Sequence, residues 1–330
     1  MGTAATHASP TGDDLAMTAG PRVVVVGALP TVGVDLLRQR FVVEAGGSRP
    51  DRSWLLEHAP GAVAIVADPS IPIDAELLDI AGGSLKLVAN FAVGYDNIDV
   101  EAARDRGVRA TNTPDVLTNA TAELAIALML AAARRIAEAD ALTRSGRWPP
   151  EDQILGRELA GATVGLVGFG RIARRVTELL RCFDVRLLFT SRSEAPARHG
   201  AERRDLGELL ADSDFVSLHV PLTSETRHLI DATRLAQVKP GAILVNTSRG
   251  AVVDTPALVD ALRSGRLGAA GLDVYEDEPH VPRSLRELPN TVLLPHLGSA
   301  TGATRDAMAR LCVENVIAVI EGREPPAPVV

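Results

Sequence analysis

The glycine-rich segment 168–173 combines residue types and spacing that could hold a phosphate group. Its residues fit the pattern G-x-G-x-x-[G/A], and they stand between an apolar run and a helical stretch. In such a turn Gly168 permits the tight bend, Gly170 lets the backbone approach an anion, and Ala173 allows close packing. The N–H groups at the start of the helix then attract a pyrophosphate. We therefore predict a dinucleotide site formed by Gly168, Phe169, Gly170, Arg171 and Ile172, although a glycine turn without a ligand is the simpler alternative.

The end of the next apolar run, Val185–Thr190, indicates which dinucleotide to expect. An acidic residue at this position would bind the ribose 2′-hydroxyl of NAD, but the run leads into Ser191, Arg192 and Ser193. Hydroxyl groups and a guanidinium bind a 2′-phosphate, which a carboxylate would repel. We therefore predict NADP(H). If Arg192 is only an exposed surface arginine, both dinucleotides bind, so NAD stays possible.

Three later apolar runs also end in polar residues. Asn246–Gly250 contains Arg249, Asp273–Pro279 contains several carboxylates, and Pro295–Gly298 contains His296. Because the carboxyl ends of parallel strands meet at one edge of a sheet, a guanidinium, a carboxylate and an imidazole would share that edge. An arginine can bind a substrate carboxylate through two hydrogen bonds, and a histidine held by a carboxylate is a suitable general acid–base. Taken singly, Arg249 could close a loop and His296 could be an ordinary buried histidine.

We also expect eight residues at or after the ends of the predicted strands of the second half to contact the dinucleotide. They are Val220, Pro221, Thr226, Thr247, Ser248, Asp273, His296 and Gly298. The sequence offers no metal-ligand spacing, and we expect no metal.

The loop after Leu85–Asn90 is a weaker candidate in the first half of the chain. Val93 and Gly94 could turn backbone N–H groups toward an anionic substrate. Taken alone, this stretch favours the other interpretation, an ordinary strand–helix loop.

Strands that alternate with helices must position these residues. With 330 residues and 34.7 kDa, the chain is long enough for two domains, and a hydrophobic fraction of 46% supplies two cores. The first half contains predicted strands at Val23–Gly27, Phe41–Val43, Ala62–Val66 and Leu85–Asn90, with helices between them. The second half contains Thr163–Gly168, Val185–Thr190, Phe215–Val220, Ala242–Asn246, Ala269–Asp273 and Thr291–Leu294. This alternation predicts α/β domains with doubly wound parallel sheets.

The longest predicted helix, Thr118–Glu138, is apolar on nearly every face. A helix of this kind must be buried on all sides, which in a water-soluble chain favours an interface. The segment Thr143–Leu155 is rich in glycine and proline and could form an arm over a partner. A final helix is predicted at Ala303–Ile320.

Composition excludes several functions. The formal net charge of -8 and the absence of a basic run argue against nucleic-acid binding. No apolar run reaches the length of a membrane span, and residues 1–20 resemble a flexible polar tail without a secretory signal. Cys182 and Cys312 are too few for a disulfide framework, so we expect thiols in a reducing compartment and a cytoplasmic protein.

These motifs together resemble the D-isomer-specific 2-hydroxyacid dehydrogenases. The resemblance covers about Pro21 to Pro325 and is closest to the glyoxylate/hydroxypyruvate reductase branch. The segments that carry it are Val93–Asp99, Asn112–Pro114, Gly165–Ala173, Asn246–Gly250, Gly271–Pro279 and Pro295–Gly298. The spacing of Arg249, Glu278 and His296 agrees with that branch. Ala173, where many members carry glycine, is a tolerated small residue.

The resemblance implies a role for each site residue. Arg249, with the Val93 and Gly94 backbone, would bind the substrate carboxylate, and His296 would be the acid–base. Glu278 would orient the imidazole and favour its cation. The implied reaction is reduction of glyoxylate or hydroxypyruvate by NADPH.

The resemblance also implies a domain arrangement. A Rossmann cofactor domain, residues 116–298, would be inserted in a flavodoxin-like substrate domain formed by residues 21–115 and 299–330, and the chain would form a homodimer. A bulkier 2-oxo acid, NADH, or a dinucleotide-sensing role without turnover are the alternatives.

Overall fold

The structure is a computed structural model that describes residues 20–49, 51–148, 154–192, 196 and 198–330. It divides into two compact units. Unit 1 consists of the chain up to Pro114 together with Asp306–Val330, and unit 2 consists of Asp115–Arg305.

Unit 1 contains a five-stranded parallel sheet in the order β2-β1-β3-β4-β5. The strands are β1 (Arg22–Val25), β2 (Val42–Ala45), β3 (Ala64–Ala67), β4 (Leu87–Asn90) and β5 (Arg109–Thr111). The helices between them are α1 (Thr31–Arg38), α2 (Arg52–His58), α3 (Ala75–Ala81) and α4 (Val100–Asp105). This is the flavodoxin-like strand order.

Aspartates begin three of these helices. The side chains of Asp51, Asp74 and Asp99 accept hydrogen bonds from backbone N–H groups in the first turns of α2, α3 and α4. Each cap satisfies donors that a helix leaves unpaired and contributes about 1 kcal/mol. The strands β3 and β4 are buried throughout, so their apolar residues form a continuous core between the helices.

Unit 2 contains a seven-stranded parallel sheet in the order β12-β11-β10-β9-β6-β7-β8. The strands are β6 (Thr163–Val167), β7 (Arg186–Thr190), β8 (Glu202–Arg203), β9 (Phe215–Leu218), β10 (Ala242–Asn246), β11 (Leu267–Leu272) and β12 (Thr291–Leu293). The helices are α5 (Thr118–Ala133), α6 (Ile136–Arg144), α7 (Arg171–Leu179), α8 (Leu206–Asp212), α9 (Ala232–Gln237), α10 (Thr255–Arg263) and α11 (Arg283–Arg286). The last helix, α12 (Gly302–Ile320), belongs to unit 1 from Asp306 onward. Strand order reverses between β6 and β9, which is where doubly wound sheets bind ligands.

The expected helix Thr118–Glu138 is wrong as one element. The chain leaves α5 after Ala133 and passes through Arg135 in a left-handed conformation, with φ +52°, before α6 begins. The Ala133 carbonyl accepts a hydrogen bond from Arg157 N–H at 2.9 Å, so a partner outside the helix uses that group. The apolar character of α5 is explained within unit 2, where the helix packs on β10, β11, β12 and α7.

Among the described strands and α-helices, three short elements were not predicted: β5, β8 and α11, none longer than four residues. Segments this short show no hydrophobic period, and β5 and β8 form because a neighbouring strand pairs with them. The predicted fold class, two doubly wound parallel-sheet units with a Rossmann unit inserted in the other, is confirmed.

Candidate functional site

The glycine turn follows β6 directly at the reversal of strand order. Gly168 has φ +94°, and a Cβ there would lie 2.6 Å from the His219 carbonyl oxygen at the end of β9, so only glycine fits. Above Gly170 a Cβ would meet no atom within 4 Å. Because α7 begins there without a side-chain cap, its first N–H groups are available to an anion in this open space.

Side chains beneath the turn hold it against the sheet. The ring of Phe169 is buried and stacks on Phe189 with their centroids 3.9 Å apart, so Phe169 can offer only its backbone to a ligand. Ala173 is fully buried on the first turn of α7, and its small side chain suits close packing of the helix on the strand. Arg171 is exposed and forms an ion pair with Asp115 at 2.6 Å.

The end of β7 carries the residues predicted to select NADP(H). Ser191 is half-buried, and its carbonyl accepts a hydrogen bond from Arg203 Nη2 at 2.8 Å. Arg192 is exposed and paired with the carboxylate of Glu225. Ser193 lies outside the described residues. Two groups that sequence reasoning missed, the Arg203 guanidinium and the Glu225 carboxylate, therefore lie at this strand end.

The loop after β9 contains Val220, Pro221 and Thr226. The Thr226 hydroxyl accepts a hydrogen bond from Thr223 N–H at 2.8 Å and donates one to the Pro221 carbonyl at 2.6 Å. These two bonds fix the path of the loop beside the glycine turn. Burial lowers the pKa of His219, at the start of this loop, to about 4, so the ring is neutral near pH 7.

The loop after β10 is organised by a buried amide. Asn246 Oδ1 accepts hydrogen bonds from the Ser248 N–H at 3.0 Å and the Ser248 hydroxyl at 2.8 Å, while Nδ2 donates to the Arg249 carbonyl at 2.9 Å. This network sets the direction in which the half-buried Arg249 leaves the sheet. The hydroxyl of Thr247 is buried and has no hydrogen-bond partner among the described residues, which suits a bound ligand.

Asp273, at the end of β11, organises the segment that carries His296. Its carboxylate is buried and accepts hydrogen bonds from the Leu297 N–H at 2.6 Å and the Gly298 N–H at 2.8 Å. Burial raises the pKa of Asp273 in spite of these two bonds. His296 itself adopts a left-handed conformation with φ +57°, which this anchoring maintains.

His296 and Glu278 form the central pair of the site. Nδ1 of His296 lies 2.7 Å from Oε2 of Glu278, and Oε1 accepts a hydrogen bond from the Tyr275 N–H at 2.9 Å. An ionised carboxylate only accepts hydrogen bonds, so Nδ1 carries the hydrogen. Nε2 has no hydrogen-bond partner within the described part of the chain, and 43% of the His296 side chain is exposed. Nε2 is therefore available for a hydrogen bond to a ligand.

The ionisation of Glu278 follows from these contacts. Burial raises its pKa, but the hydrogen bond and positive charge of His296, the Tyr275 N–H and the charge of Arg249 together hold the pKa below its usual value. The carboxylate is therefore ionised near pH 7. The guanidinium of Arg249 is therefore close enough for its charge to act on the Glu278 carboxylate.

The backbone brings the Arg249 and Glu278 loops into close contact. A Cβ on Gly250 would lie 1.9 Å from the carbonyl carbon of Tyr275, so glycine is required. The Tyr275 hydroxyl donates to the Leu294 carbonyl at 2.9 Å, just before the His296 segment. Burial raises the pKa of Tyr275 to about 12, so it remains a donor. The sequence analysis gave Tyr275 no role, although the residue lies within the acidic segment Asp273–Pro279.

Val93 and Gly94 lie in unit 1, after β4. Their carbonyls accept hydrogen bonds from Asn112 Nδ2 at 2.8 Å and Asn90 Nδ2 at 2.7 Å. Because a trans peptide is planar, the N–H of the residue after each carbonyl points to the opposite side. The N–H groups of Val93 and Gly94 have no hydrogen-bond partner among the described residues. Their predicted role toward an anion stays a prediction.

The residues of the unit 2 edge fit a dinucleotide. An open space above Gly170, an uncapped helix start and the unpartnered Thr247 hydroxyl lie at the ends of neighbouring strands. Within the described ranges, no three metal-binding side chains cluster. None of the helices described there has both the length and the apolar character that crossing a membrane requires.

Comparison with known proteins agrees with this arrangement. Residues 126–298 match the model of the D-isomer specific 2-hydroxyacid dehydrogenase, NAD binding domain, family. Glyoxylate reductase from Thermococcus onnurineus is 48% identical over 317 residues, which cover 93% of this chain and 95% of that protein. The chain therefore belongs to the D-isomer specific 2-hydroxyacid dehydrogenase family.

Solved structures are similar to this chain over most of its length. The TT0316 protein from Thermus thermophilus has a TM-score of 0.87 and 47% identity, covering 94% of this chain and 100% of that chain. An NADPH-dependent glyoxylate/hydroxypyruvate reductase from Sinorhizobium meliloti, in complex with NADP and malonate, has a TM-score of 0.86 and 36% identity, covering 94% and 97%.

Proposed function

We propose that this chain reduces a small 2-oxo acid, glyoxylate or hydroxypyruvate, to the D-2-hydroxy acid with NADPH. The observation that carries the proposal is the His296–Glu278 pair, 2.7 Å apart, in the unit that also contains the glycine turn. Glyoxylate reductases that are 44–48% identical to this chain support the choice of substrate.

Arg249 would bind the carboxylate of the substrate. A guanidinium forms two parallel hydrogen bonds with a carboxylate, and so fixes both the position and the orientation of a 2-oxo acid. The buried amide of Asn246, which holds the Arg249 carbonyl, limits the movement of this loop.

His296 would protonate the carbonyl oxygen of the substrate through Nε2. Carbon receives a hydride and oxygen receives this proton, which completes the hydroxyl group. Glu278 holds Nδ1 and stabilises the imidazolium before transfer. When bound, the nicotinamide supplies the hydride.

The dinucleotide would lie on the turn of Gly168, Phe169, Gly170, Arg171 and Ile172. Further contacts would come from Ser191, Arg192, Val220, Pro221, Thr226, Thr247, Ser248, Asp273, His296 and Gly298. Ser191 and Arg192 favour NADPH because the strand end itself carries no carboxylate. The Sinorhizobium meliloti relative is described as NADPH-dependent, which supports the same preference. The pairing of Arg192 with Glu225 leaves NADH as the alternative.

We further propose that the chain forms a homodimer and that it is located in a reducing, cytoplasmic compartment. Exposed apolar side chains on and after α6 support the dimer: Ile136, Trp148 and Leu155 are 51%, 87% and 70% exposed. Part of the predicted arm, residues 149–153, lies outside the described residues. The free cysteines Cys182 and Cys312 support the proposal of a reducing compartment. Sedimentation at two concentrations tests the dimer.

A substrate and cofactor panel tests the function. Oxidation of NADPH and NADH is measured against glyoxylate, hydroxypyruvate, pyruvate and phenylpyruvate. Fast NADPH oxidation with the first two supports the proposal, and preference for phenylpyruvate would replace it with a bulkier substrate. Tight dinucleotide binding without turnover would favour a sensing role.

Arg249→Lys tests the substrate site separately. The variant keeps the charge but loses the planar group that binds a carboxylate at two points. We expect kcat/KM for the 2-oxo acid to fall about 100-fold, a loss of about 2.7 kcal/mol, while dinucleotide affinity stays unchanged. Near-normal activity would remove Arg249 from the substrate site.

A further inference from the structure

Glu225 brings a carboxylate to the end of β7, where the residues of the strand end itself provide none. It lies on the loop after β9 and forms an ion pair with Arg192, at the end of β7. Both side chains are largely exposed, 85% for Arg192 and 66% for Glu225. The Arg203 guanidinium also reaches this strand end through the Ser191 carbonyl. The end of β7, where a 2′-phosphate would bind, therefore carries the Arg192–Glu225 pair and a second guanidinium on the neighbouring Ser191 carbonyl.

We propose that Glu225 is a specificity-determining residue that competes with the 2′-phosphate of NADPH for Arg192. This inference rests on the proposed dinucleotide site. A 2′-phosphate carries about 1.5 to 2 negative charges, so it must displace the carboxylate and then remain beside it. NADH presents only hydroxyl groups at this point, so the Arg192–Glu225 pair can stay intact. Glu225 therefore lowers the affinity for NADPH and narrows its advantage over NADH.

The loop that carries Glu225 keeps its backbone in place. The Thr226 hydroxyl bonds to Thr223 N–H and to the Pro221 carbonyl, and Arg227 N–H donates to the Thr223 carbonyl at 2.9 Å. Because the loop backbone is held, Glu225 can move away from an incoming phosphate only by rotating its side chain. Its negative charge consequently stays near the site even after the ion pair breaks.

Glu225→Gln tests the proposal through binding and turnover. Equilibrium titrations of NADPH and NADH, followed by nucleotide fluorescence without 2-oxo acid, give the two affinities. We expect the NADPH affinity to rise about fivefold, the upper range for one exposed ion pair, and the NADH affinity to stay constant. The gain should shrink as salt increases, because exposed charges are screened over about 10 Å at 0.1 M ionic strength. The ratio of kcat/KM with NADPH to kcat/KM with NADH should rise by the same factor.

Two further variants make the result specific. Glu208→Gln removes the same charge from an exposed position on α8, and it should change neither affinity. Arg192→Gln should lower NADPH affinity about tenfold, because it removes the cation that the phosphate and Glu225 share. In the double variant Arg192→Gln with Glu225→Gln, the fivefold gain should shrink, as expected for two groups that interact.

Several results of these titrations would contradict the proposed role of Glu225. If Glu225→Gln lost NADH affinity with unchanged NADPH affinity, Glu225 would be a partner of the ribose hydroxyls. The proposal that it competes with the 2′-phosphate would then be wrong. Equal changes for both nucleotides, or none, would overturn it as well. If the wild-type chain bound neither nucleotide, the proposed function would fail together with this inference. If nucleotides bound but no 2-oxo acid were reduced, only the substrate proposal would fail, because the titrations do not depend on turnover.

Discussion

Glu278→Gln isolates the charge in the His296–Glu278 pair. The amide preserves the size of the side chain, and its oxygen can still accept the Tyr275 N–H that now bonds to Oε1 at 2.9 Å. What disappears is the negative charge 2.7 Å from Nδ1 of His296. Because the pKa of Glu278 is held low, wild-type protein carries this charge throughout the neutral range.

The expected magnitude follows from the geometry of the pair. A hydrogen bond to a charged group contributes about 1.5–3 kcal/mol when shielded from water. The two side chains are 43% and 33% exposed, so solvent screening reduces the effect to about 1.4 kcal/mol. This free energy corresponds to about one pH unit.

The direction of the pH effect follows from the proton that reduction consumes. Reduction needs a protonated imidazole, and without the carboxylate the imidazolium is less stable. The alkaline limb of kcat/KM for 2-oxo acid reduction should therefore move down by about one pH unit. Rates measured from about pH 5 to about pH 9 at constant ionic strength show this.

A neighbouring carboxylate provides the control. Asp277→Asn removes a charge from an exposed residue of the same segment and should leave the limb in place. An unmoved limb in Glu278→Gln, or a shift to higher pH, would refute the role of Glu278 even if the rate fell.

Three other substitutions test the supporting structure. In Gly250→Ala the new Cβ must displace the Tyr275 backbone, so we expect kcat/KM to fall about 100-fold with unchanged circular dichroism. Asp273→Asn replaces one of two acceptors with a donor, so urea unfolding should show a loss of about 2 kcal/mol. Asp214 is largely buried: desolvation raises its pKa, but Lys239 and other partners outweigh this and lower it. Its contribution is present above the unfolded pKa and lost as pH falls through the folded pKa. Asp214→Asn should therefore cost about 2 kcal/mol at pH 7 and much less below about pH 3, as measured by chemical denaturation.

Local signals predicted the regular elements well where they are strong. The observed bounds of β10, Ala242–Asn246, equal the predicted ones, because a continuous apolar run marks this strand. The interruption after Ala133 carried no such signal. At this point the distant Arg157 N–H bonds to the Ala133 carbonyl, and no local pattern contains that information.

The candidate site shows the same division. Residue order alone placed Arg249, Glu278 and His296 after strands of one sheet, because parallel strands direct their carboxyl ends to one edge. The 2.7 Å contact within the pair depends on loops that Asp273 and Gly250 hold in position. Those loops are set by buried hydrogen bonds and close backbone packing between distant segments.

The sequence by itself determined the fold class, the glycine turn and the kinds of group at the sheet edge, since these depend on local periodicity and residue chemistry. Only the tertiary structure decided which groups touch. Arg192 is part of a local motif, whereas its partner Glu225 comes from the loop after another strand. Contacts between such segments depend on strand order and loop path, which are fixed by packing over the whole unit.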